Sequence, residues 1–444
     1  MTAAVRPRWL AHPLEFSLGL VADVRPGEAG TALLLTANVL LLLTAYYLLK
    51  VAREPLILLG GGAEVKSYAA VGQSILLVGV ASAYAWLAAR VGRMALIAWV
   101  TIFFVVDLVV FWALGERGVS LGVPFFLWVG IFNVTTVAQF WSFAADLYTD
   151  EQGKRLFPII GIGSSVGAVV GAWVADGLLF LGPFGLMLVS AGTLLACLGL
   201  TYVVHRREGA RGARAGEGRP ARLEGANGFS LVLRDRYLLL FAGLIFVLNW
   251  VTKTGDYVLD RKLLAAAHAA AHAPGVHAGA YIGQFKARYF EWVNGLGVAL
   301  QFLAVARIIK YLGLRAALLV MPCASLLGYG AALASPVLAV LFAARVVESS
   351  LDYSLSNTTR QALWLPTSRD AKYKAKQVID TFVVRAGDAM SAGLVWFGAQ
   401  TRLPLEGFIA INVGLSIVWL AFAFFLGRSY SGVIERDEFA AQAA

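Results

Sequence analysis

The chain has 444 residues, of which 59% are hydrophobic and only 14% are charged. A soluble protein of this length has more polar surface to cover. This composition and the mean hydropathy of +0.72 therefore exclude an ordinary soluble globular protein and indicate an integral membrane protein. The net charge of +10 fits the excess of Lys and Arg in cytoplasmic membrane loops, so we expect no nucleic-acid partner.

Continuous apolar runs recur along the whole chain. An α-helix needs about 20 apolar residues to cross roughly 30 Å of hydrocarbon, and only helices or closed barrels satisfy their backbone groups in lipid. Since the runs are continuous rather than alternating, they predict an all-α integral membrane fold with about 12 transmembrane helices. In chain order, the predicted span cores are 31–49, 69–89, 94–114, 123–144, 157–181, 186–204, 237–253, 292–306, 314–333, 337–356, 378–400 and 407–426.

Basic residues are distributed unevenly over the connections between these spans. Lys and Arg concentrate in the terminal segments and in every second connection, which places both termini in the cytoplasm by the positive-inside rule. Arg strongly outnumbers Lys, as it does in proteins from GC-rich bacterial genomes. We therefore expect a multi-pass protein of the bacterial inner (plasma) membrane.

The segment 205–236 differs in composition from the rest of the chain. It is rich in Gly, Ala and Arg and has no apolar period, which predicts a solvated basic cytoplasmic linker. It separates a six-helix half at 1–204 from a second at 237–427, and a cytoplasmic tail follows at 428–444. Two six-helix halves joined by a long cytoplasmic loop are typical of the major-facilitator architecture.

Several cations lie within the predicted spans or at their ends. Ionisable groups in a membrane are costly and usually face a bundle interior or a water-filled cavity. The planar fork of Arg suits carboxylate and phosphate oxygens, so these cations predict an anion-binding site. The alternatives are structural pairing of an Arg with an acid three residues later, and snorkelling of the others to the interface. The candidates are Lys50, Arg53, Lys253, Arg345 and Arg385.

Other motifs predict packing rather than chemistry. The stretch 161–171, GIGSSVGAVVG, has glycines at four-residue spacing that favour close helix packing, and no P-loop is present. Cys197 and Cys323 lie in apolar runs, which predicts buried free thiols. No catalytic arrangement is indicated, so we expect no enzyme, cofactor or metal site. The remaining metal candidates lie in an Ala-rich stretch that predicts a low-complexity external loop: His268, His272 and His277.

Two strings carry a family resemblance. FWSFAADLYTDEQGKRLFPIIG at 140–161 resembles a motif of the ATP/ADP translocase family of plastids and obligate intracellular bacteria. DYSLSNTTRQALWLPTSRDAKYKAKQVIDTFVVRAGDAMSAG at 352–393 is similar to a second motif of that family. The positions that match in the second string are Tyr353, Ser354, Leu355, Thr359, Pro366, Lys374, Lys376, Ile379, Asp380, Arg385 and Gly387.

The resemblance implies a major-facilitator-type bundle of about 12 helices that exchanges ATP for ADP by alternating access. The transported substrate would be a nucleotide or another phosphorylated anion. The protein would be surrounded by membrane lipid, and a monomer is the default oligomeric state. The intramembrane cations would hold the phosphates, and charged residues at two cytoplasmic turns would gather anions at the entrance or gate it. Alternatively, these entrance residues only belong to the usual excess of charged, mainly basic residues on the cytoplasmic side. They are Lys154, Arg155, Lys374, Lys376 and Asp380.

The sequence also departs from the family pattern. The family's acid in the fourth helix is absent, with Val129 near its place, and the family's Lys in a GKSGG string is replaced by Asp388. A major-facilitator transporter of another organic anion is therefore the alternative function. In that case Asp107 or Asp352 would couple transport to protons, although a satisfied structural carboxylate is the competing interpretation of Asp107.

Overall fold

The computed structural model describes Arg25 and residues 28–209, 228–367 and 371–443. Most of the predicted basic linker and the N-terminal segment before Arg25 lie outside the described residues. Helices make up almost all of the described chain, and no strand occurs within it, which confirms the predicted all-α class.

The helices follow one another with short connections. In chain order they are α1 Ala29–Ala88, α2 Arg93–Glu116, α3 Gly122–Leu147, α4 Asp150–Gly177, α5 Gly182–Gly209, α6 Gly228–Arg234, α7 Arg236–Ala270, α8 Ala278–Leu300, α9 Ala306–Ala334, α10 Leu338–Leu351, α11 Asn357–Ala362, α12 Lys376–Val378, α13 Val384–Gln400 and α14 Leu405–Ala443. Short π-helical turns join α8 to α9 and α10 to α11, and two more flank α12.

Eight helices in the described chain are long and apolar enough to cross a membrane. Two of them, Ala29–Ala88 and Ala278–Ala334, contain 60 and 57 residues, far more than the roughly 20 that one pass requires. Each is interrupted by a glycine with φ of +78°, Gly62 in the first and Gly313 in the second. A side chain at that φ would be strained, so these glycines allow one pass to end and the next to begin.

The helices extend further than the apolar runs predict. The predicted span cores end at 49 and 253, which would place Lys50 and Lys253 at helix ends. In the structure, α1 continues to the kink at Gly62 and α7 continues to Ala270. The charged residues after each core thus lie inside helices. The predicted external loop with three histidines is correspondingly short, because α7 includes His268 and α8 begins at Ala278.

The chain forms two compact units. The first comprises the described residues of Met1–Leu56, Leu76–Arg219 and Lys286–Glu291, and the second those of Ile57–Ile75, Pro220–Phe285 and Trp292–Ala444.

In the first unit, α4 packs closely on α1 as the glycine spacing predicts. A Cβ atom at Gly163 would lie 2.5 Å from the carbonyl oxygen of Thr36, and one at Gly167 would lie 2.5 Å from that of Leu40. Only glycine permits such an approach between two backbones.

The second unit is built around α7, which packs against α10, α13 and α14, while α9 packs against α14. Asn412 of α14 donates a hydrogen bond from its side-chain N–H to the carbonyl oxygen of Val251 at 3.1 Å, which gives this buried donor a partner in the apolar interior. Cys323 of α9 is exposed, so the prediction that both thiols are buried is wrong for this residue and confirmed for Cys197. An apolar run shows that a helix lies in the membrane, but it does not show which of its faces other helices cover.

Candidate anion-binding site

Three charged side chains meet in the first unit: Arg53, Glu54 and Lys286. With Lys50, which lies one helical turn before Glu54 on α1, we call them the α1–α8 cluster. Arg53 Nη2 lies 3.0 Å from Glu54 Oε1, and Lys286 Nζ lies 3.4 Å from Glu54 Oε2. Glu54 is 1% exposed and Lys286 is 4% exposed. The cluster therefore holds three cations and one carboxylate in a largely buried environment, where charges interact more strongly than in water.

Aromatic rings surround the cations of this cluster. Lys50 Nζ lies 4.1 Å from the ring centre of Phe290 and 4.9 Å from that of Tyr47. The guanidinium carbon of Arg53 lies 4.5 Å from the ring centre of Phe126. Such contacts stabilise a cation away from water.

Arg345 of the second unit lies in a network of a different kind. It is 1% exposed, and its two terminal nitrogens each lie 2.5 Å from a carboxylate oxygen, Glu348 Oε2 and Asp256 Oδ1. Tyr329 donates its hydroxyl to the same Glu348 oxygen at 2.8 Å. The i,i+3 pairing considered for Arg345 and Glu348 is thus present, together with two partners from other helices, and Lys253 Nζ lies 4.0 Å from Asp256.

Arg385 differs from Arg345 in its exposure. Its Nη1 lies 2.9 Å from Asp388 Oδ2, but the Arg385 side chain is 43% exposed, whereas Asp388 is buried. The other carboxylate oxygen of Asp388 is buried without a hydrogen-bond partner in the described chain. Arg385 can therefore reach an anion while it remains close to its own carboxylate.

The predicted entrance residues are spread over several local contacts. Arg155 forms an ion pair with Glu28 at 3.0 Å, and Lys376 Nζ donates to the Gln361 side chain at 2.7 Å. Lys374 is half-buried and Asp380 is exposed. The side chain of Lys154 lies outside the described residues.

The two predicted coupling acids each have a defined partner. Asp107 accepts a hydrogen bond from the indole N–H of Trp128 at 2.8 Å. Asp352 lies 3.0 Å from Arg360, two turns further along the chain. The contact of Asp107 fits a satisfied carboxylate within an aromatic cluster, since Trp128 stacks on Phe132.

Sequence reasoning missed Lys286 and its contact with Glu54. The predicted eighth span began at residue 292, whereas α8 begins at Ala278, so Lys286 lies within a helix rather than before one. The available signal was its position directly after the YIGQF string at 281–285, which also resembles the translocase family. In the second unit, the buried pair of Lys66 and Asp260 at 2.7 Å was missed as well.

No family model and no curated protein sequence matches the chain. In structure, the chain is similar to a bacterial homologue of the human lysosomal transporter Spinster in an inward-facing, unoccupied conformation, with a TM-score of 0.58, 14% identity and coverage of 92% of this chain and 99% of that one. It is also similar to a bacterial homologue of the iron transporter ferroportin in an inward-facing state, with a TM-score of 0.60, 13% identity and coverage of 90% and 98%. A third similar structure is the nucleoside transporter NupG, with a TM-score of 0.58, 12% identity and coverage of 91% and 99%.

These likenesses, with the apolar helices, define a multi-pass membrane protein. More particularly, they show that nearly the whole chain has the fold of major-facilitator transporters, which confirms the predicted fold class. At this level of identity, a shared fold identifies the architecture but does not identify the substrate, which depends on the residues of the binding site.

Proposed function

We propose that the chain is a membrane transporter that exchanges nucleotides, or a closely related phosphorylated anion, by alternating access. The observation that carries the proposal is the α1–α8 cluster, in which three cations and one carboxylate lie among aromatic rings. The resemblance of 140–161 and 352–393 to the ATP/ADP translocase family supports the same ligand class.

The charge and shape of a nucleotide suit this cluster. A nucleoside di- or triphosphate carries about three or four negative charges, which a site away from water must balance with several cations. Arg53 offers a planar fork for two phosphate oxygens, and Lys50 and Lys286 add compact charges.

The second unit has an exposed cation of its own that can contact an anion. Arg385 is 43% exposed, whereas the guanidinium of Arg345 is enclosed by two carboxylates and a tyrosine hydroxyl. We therefore assign Arg385 a role in substrate binding and Arg345 a role in holding its unit together. Lys253 supports the Arg345 network through Asp256.

The proposal is tested in liposomes that contain the purified full-length chain. Liposomes preloaded with ADP are expected to take up labelled ATP, whereas empty liposomes are expected to take up much less. Liposomes loaded with inorganic phosphate or with other nucleotides measure the specificity. A folded protein that gives equal uptake with and without internal nucleotide would contradict exchange.

A proton-coupled carrier of another organic anion is the second candidate function, and Asp388 is the observation that favours it. One of its oxygens is buried without a hydrogen-bond partner in the described chain, and the other contacts Arg385. A membrane-embedded carboxylate of this kind can carry a proton. Uptake into empty liposomes that collapses when an uncoupler is added would support this function over exchange.

A further inference from the structure

Glu54 occupies the position that an anionic ligand of the α1–α8 cluster would need. Its two carboxylate oxygens contact different cations, Oε1 with Arg53 at 3.0 Å and Oε2 with Lys286 at 3.4 Å. Two terminal oxygens of a phosphate or a carboxylate can make the same two contacts. A ligand anion and Glu54 therefore compete for the same donors.

We propose that Glu54 is an internal counterion that the anionic group of the substrate displaces, and that this competition sets both the affinity for the substrate and the slow rate at which the empty carrier crosses. The inference rests on the proposed function and adds a role for a residue of that site. It assigns Lys286, together with Arg53, direct contact with the transported anion.

Burial gives the competition its energetic weight. Glu54 and Lys286 are almost fully buried, and a buried charge that loses its partner is strongly destabilising. The cations must therefore have an anionic partner in every state that crosses the membrane. In the empty carrier Glu54 contacts both cations, and in the loaded carrier the substrate contacts them.

The displaced carboxylate also needs a partner. Lys50 precedes Glu54 by four residues on α1, so the two side chains lie on the same helix face, one turn apart. We assign Lys50 as the cation that stays beside the displaced Glu54 carboxylate, so that substrate binding leaves no buried charge uncompensated.

Two consequences distinguish this role from that of a purely structural acid. If Glu54 is replaced by a neutral side chain, the substrate meets no competitor for the two cations, so it binds more tightly. The two cations of the empty carrier then lose a carboxylate that both of them contact, so the empty carrier crosses more slowly, while the loaded carrier still crosses. Efflux of ADP into ADP-free buffer should therefore fall relative to exchange. It should fall even though the variant has fewer charged contacts than the wild-type protein.

The experiment compares wild type with Glu54→Gln. Binding of ADP to the purified full-length protein is measured by calorimetry, and liposomes loaded with labelled ADP are diluted into buffer with or without external ADP. We expect Glu54→Gln to lower the dissociation constant about tenfold. We also expect it to reduce efflux into ADP-free buffer at least fivefold relative to efflux into ADP, on the same physical grounds.

Glu64→Gln is the matched control, because Glu64 lies on the same helix but accepts a hydrogen bond from Tyr257 rather than from the cluster. It should leave the dissociation constant and the efflux ratio unchanged. Should Glu54→Gln fail to fold, as judged by size exclusion and thermal unfolding, Glu54→Asp replaces it. The shorter side chain keeps the charge and is expected to compete less well, lowering the dissociation constant at least twofold.

The outcomes separate this inference from the proposed function. If the wild-type protein neither binds ADP nor exchanges it, the proposed function fails. If the wild type exchanges but the Glu54 variant binds ADP no more tightly and keeps the wild-type efflux ratio, the internal counterion is refuted and nucleotide exchange stands. Tighter binding together with a lower efflux ratio establishes the role of Glu54.

Discussion

The carboxylate of Glu28 accepts a hydrogen bond from each of the two terminal nitrogens of Arg155, at 3.0 Å for both. Glu28 directly precedes α1 and Arg155 lies in the second turn of α4, so the pair joins the starts of two helices in the first unit. The backbone N–H of Arg25 and the side chain of Gln152 also donate to this carboxylate. Arg155, a predicted entrance residue, therefore has a structural contact as well.

The Glu28 contacts predict a pH dependence of stability. Partial burial raises the pKa of the Glu28 carboxyl, but the hydrogen bonds from Arg155, Arg25 and Gln152 lower it by more, so that its pKa lies below the ordinary value of 4.5. A carboxyl whose pKa is lower in the folded state than in the unfolded state stabilises the fold at pH values above the unfolded pKa. This stabilisation is lost as the pH falls through the folded pKa.

Glu28→Gln tests this dependence through the melting temperature in detergent between pH 7 and pH 4. The variant should be less stable than wild type at pH 7 by about 1 kcal/mol, and the difference should shrink as the pH falls through the carboxyl range. Glu406→Gln, at the start of α14, provides the control for the loss of an acid at a helix start. A difference that stays constant with pH would show that the Glu28 charge is not the cause.

Close packing of α4 on α1 predicts a second stability effect. In Gly167→Ala, the new Cβ would lie 2.5 Å from the carbonyl oxygen of Leu40, so the helices must separate, at a cost of about 1–3 kcal/mol. Gly192→Ala is the matched control, since a Cβ there meets nothing within 4 Å. Thermal unfolding should show a lower melting temperature for the first variant only, and equal melting temperatures would contradict close packing at Gly167.

Much of this fold could be predicted because hydropathy is a local property. The apolar runs locate nearly every membrane helix, and the four-residue spacing of Gly163 and Gly167 is enough to identify a contact surface between helices. The ends of α1 and α7 could not be located in the same way. Charged residues such as Arg53 and Lys253 resemble the end of a span, yet the helices continue because acids on the same helix compensate these charges.

The site was predictable only where its partners are close in sequence. The pairing of Arg345 with Glu348 follows from a three-residue spacing, and so does that of Arg385 with Asp388. The contact of Lys286 with an acid on α1 joins residues more than 200 positions apart, which no helical periodicity indicates. Tertiary folding alone determines such contacts.

The enclosure of Arg345 predicts a large loss of stability when it is removed. Arg345→Ala would leave the carboxylates of Glu348 and Asp256 without their guanidinium, and breaking a buried pair in this way costs about 3–5 kcal/mol. Arg385→Ala, which leaves one buried carboxylate rather than two carboxylates without a guanidinium, should cost less. We expect the first variant to lower the melting temperature and the yield of monodisperse protein, and the second to lower both by less. Equal stability of the two variants would remove Arg345 from its structural role.

The assignment of Arg53 and Arg385 to anion binding predicts loss of flux without loss of fold. Each residue contacts a carboxylate, but Glu54 keeps Lys286 as a partner in Arg53→Ala, and Asp388 contacts a half-exposed Arg385. Either substitution should reduce ATP/ADP exchange at least tenfold, because a charge-assisted contact with phosphate is lost, while membrane insertion continues.

Lys310→Ala is the matched control for these variants, since Lys310 is an exposed cation that lies over the ring of Tyr311 and outside both sites. It should exchange nucleotide at the wild-type rate. The measurement is the initial rate of labelled ATP uptake into ADP-loaded liposomes, normalised to the amount of folded protein. Wild-type rates for Arg53→Ala would exclude this residue from the site, and because Arg53 provides the guanidinium of the α1–α8 cluster, phosphate recognition there would then have to come from the two lysines.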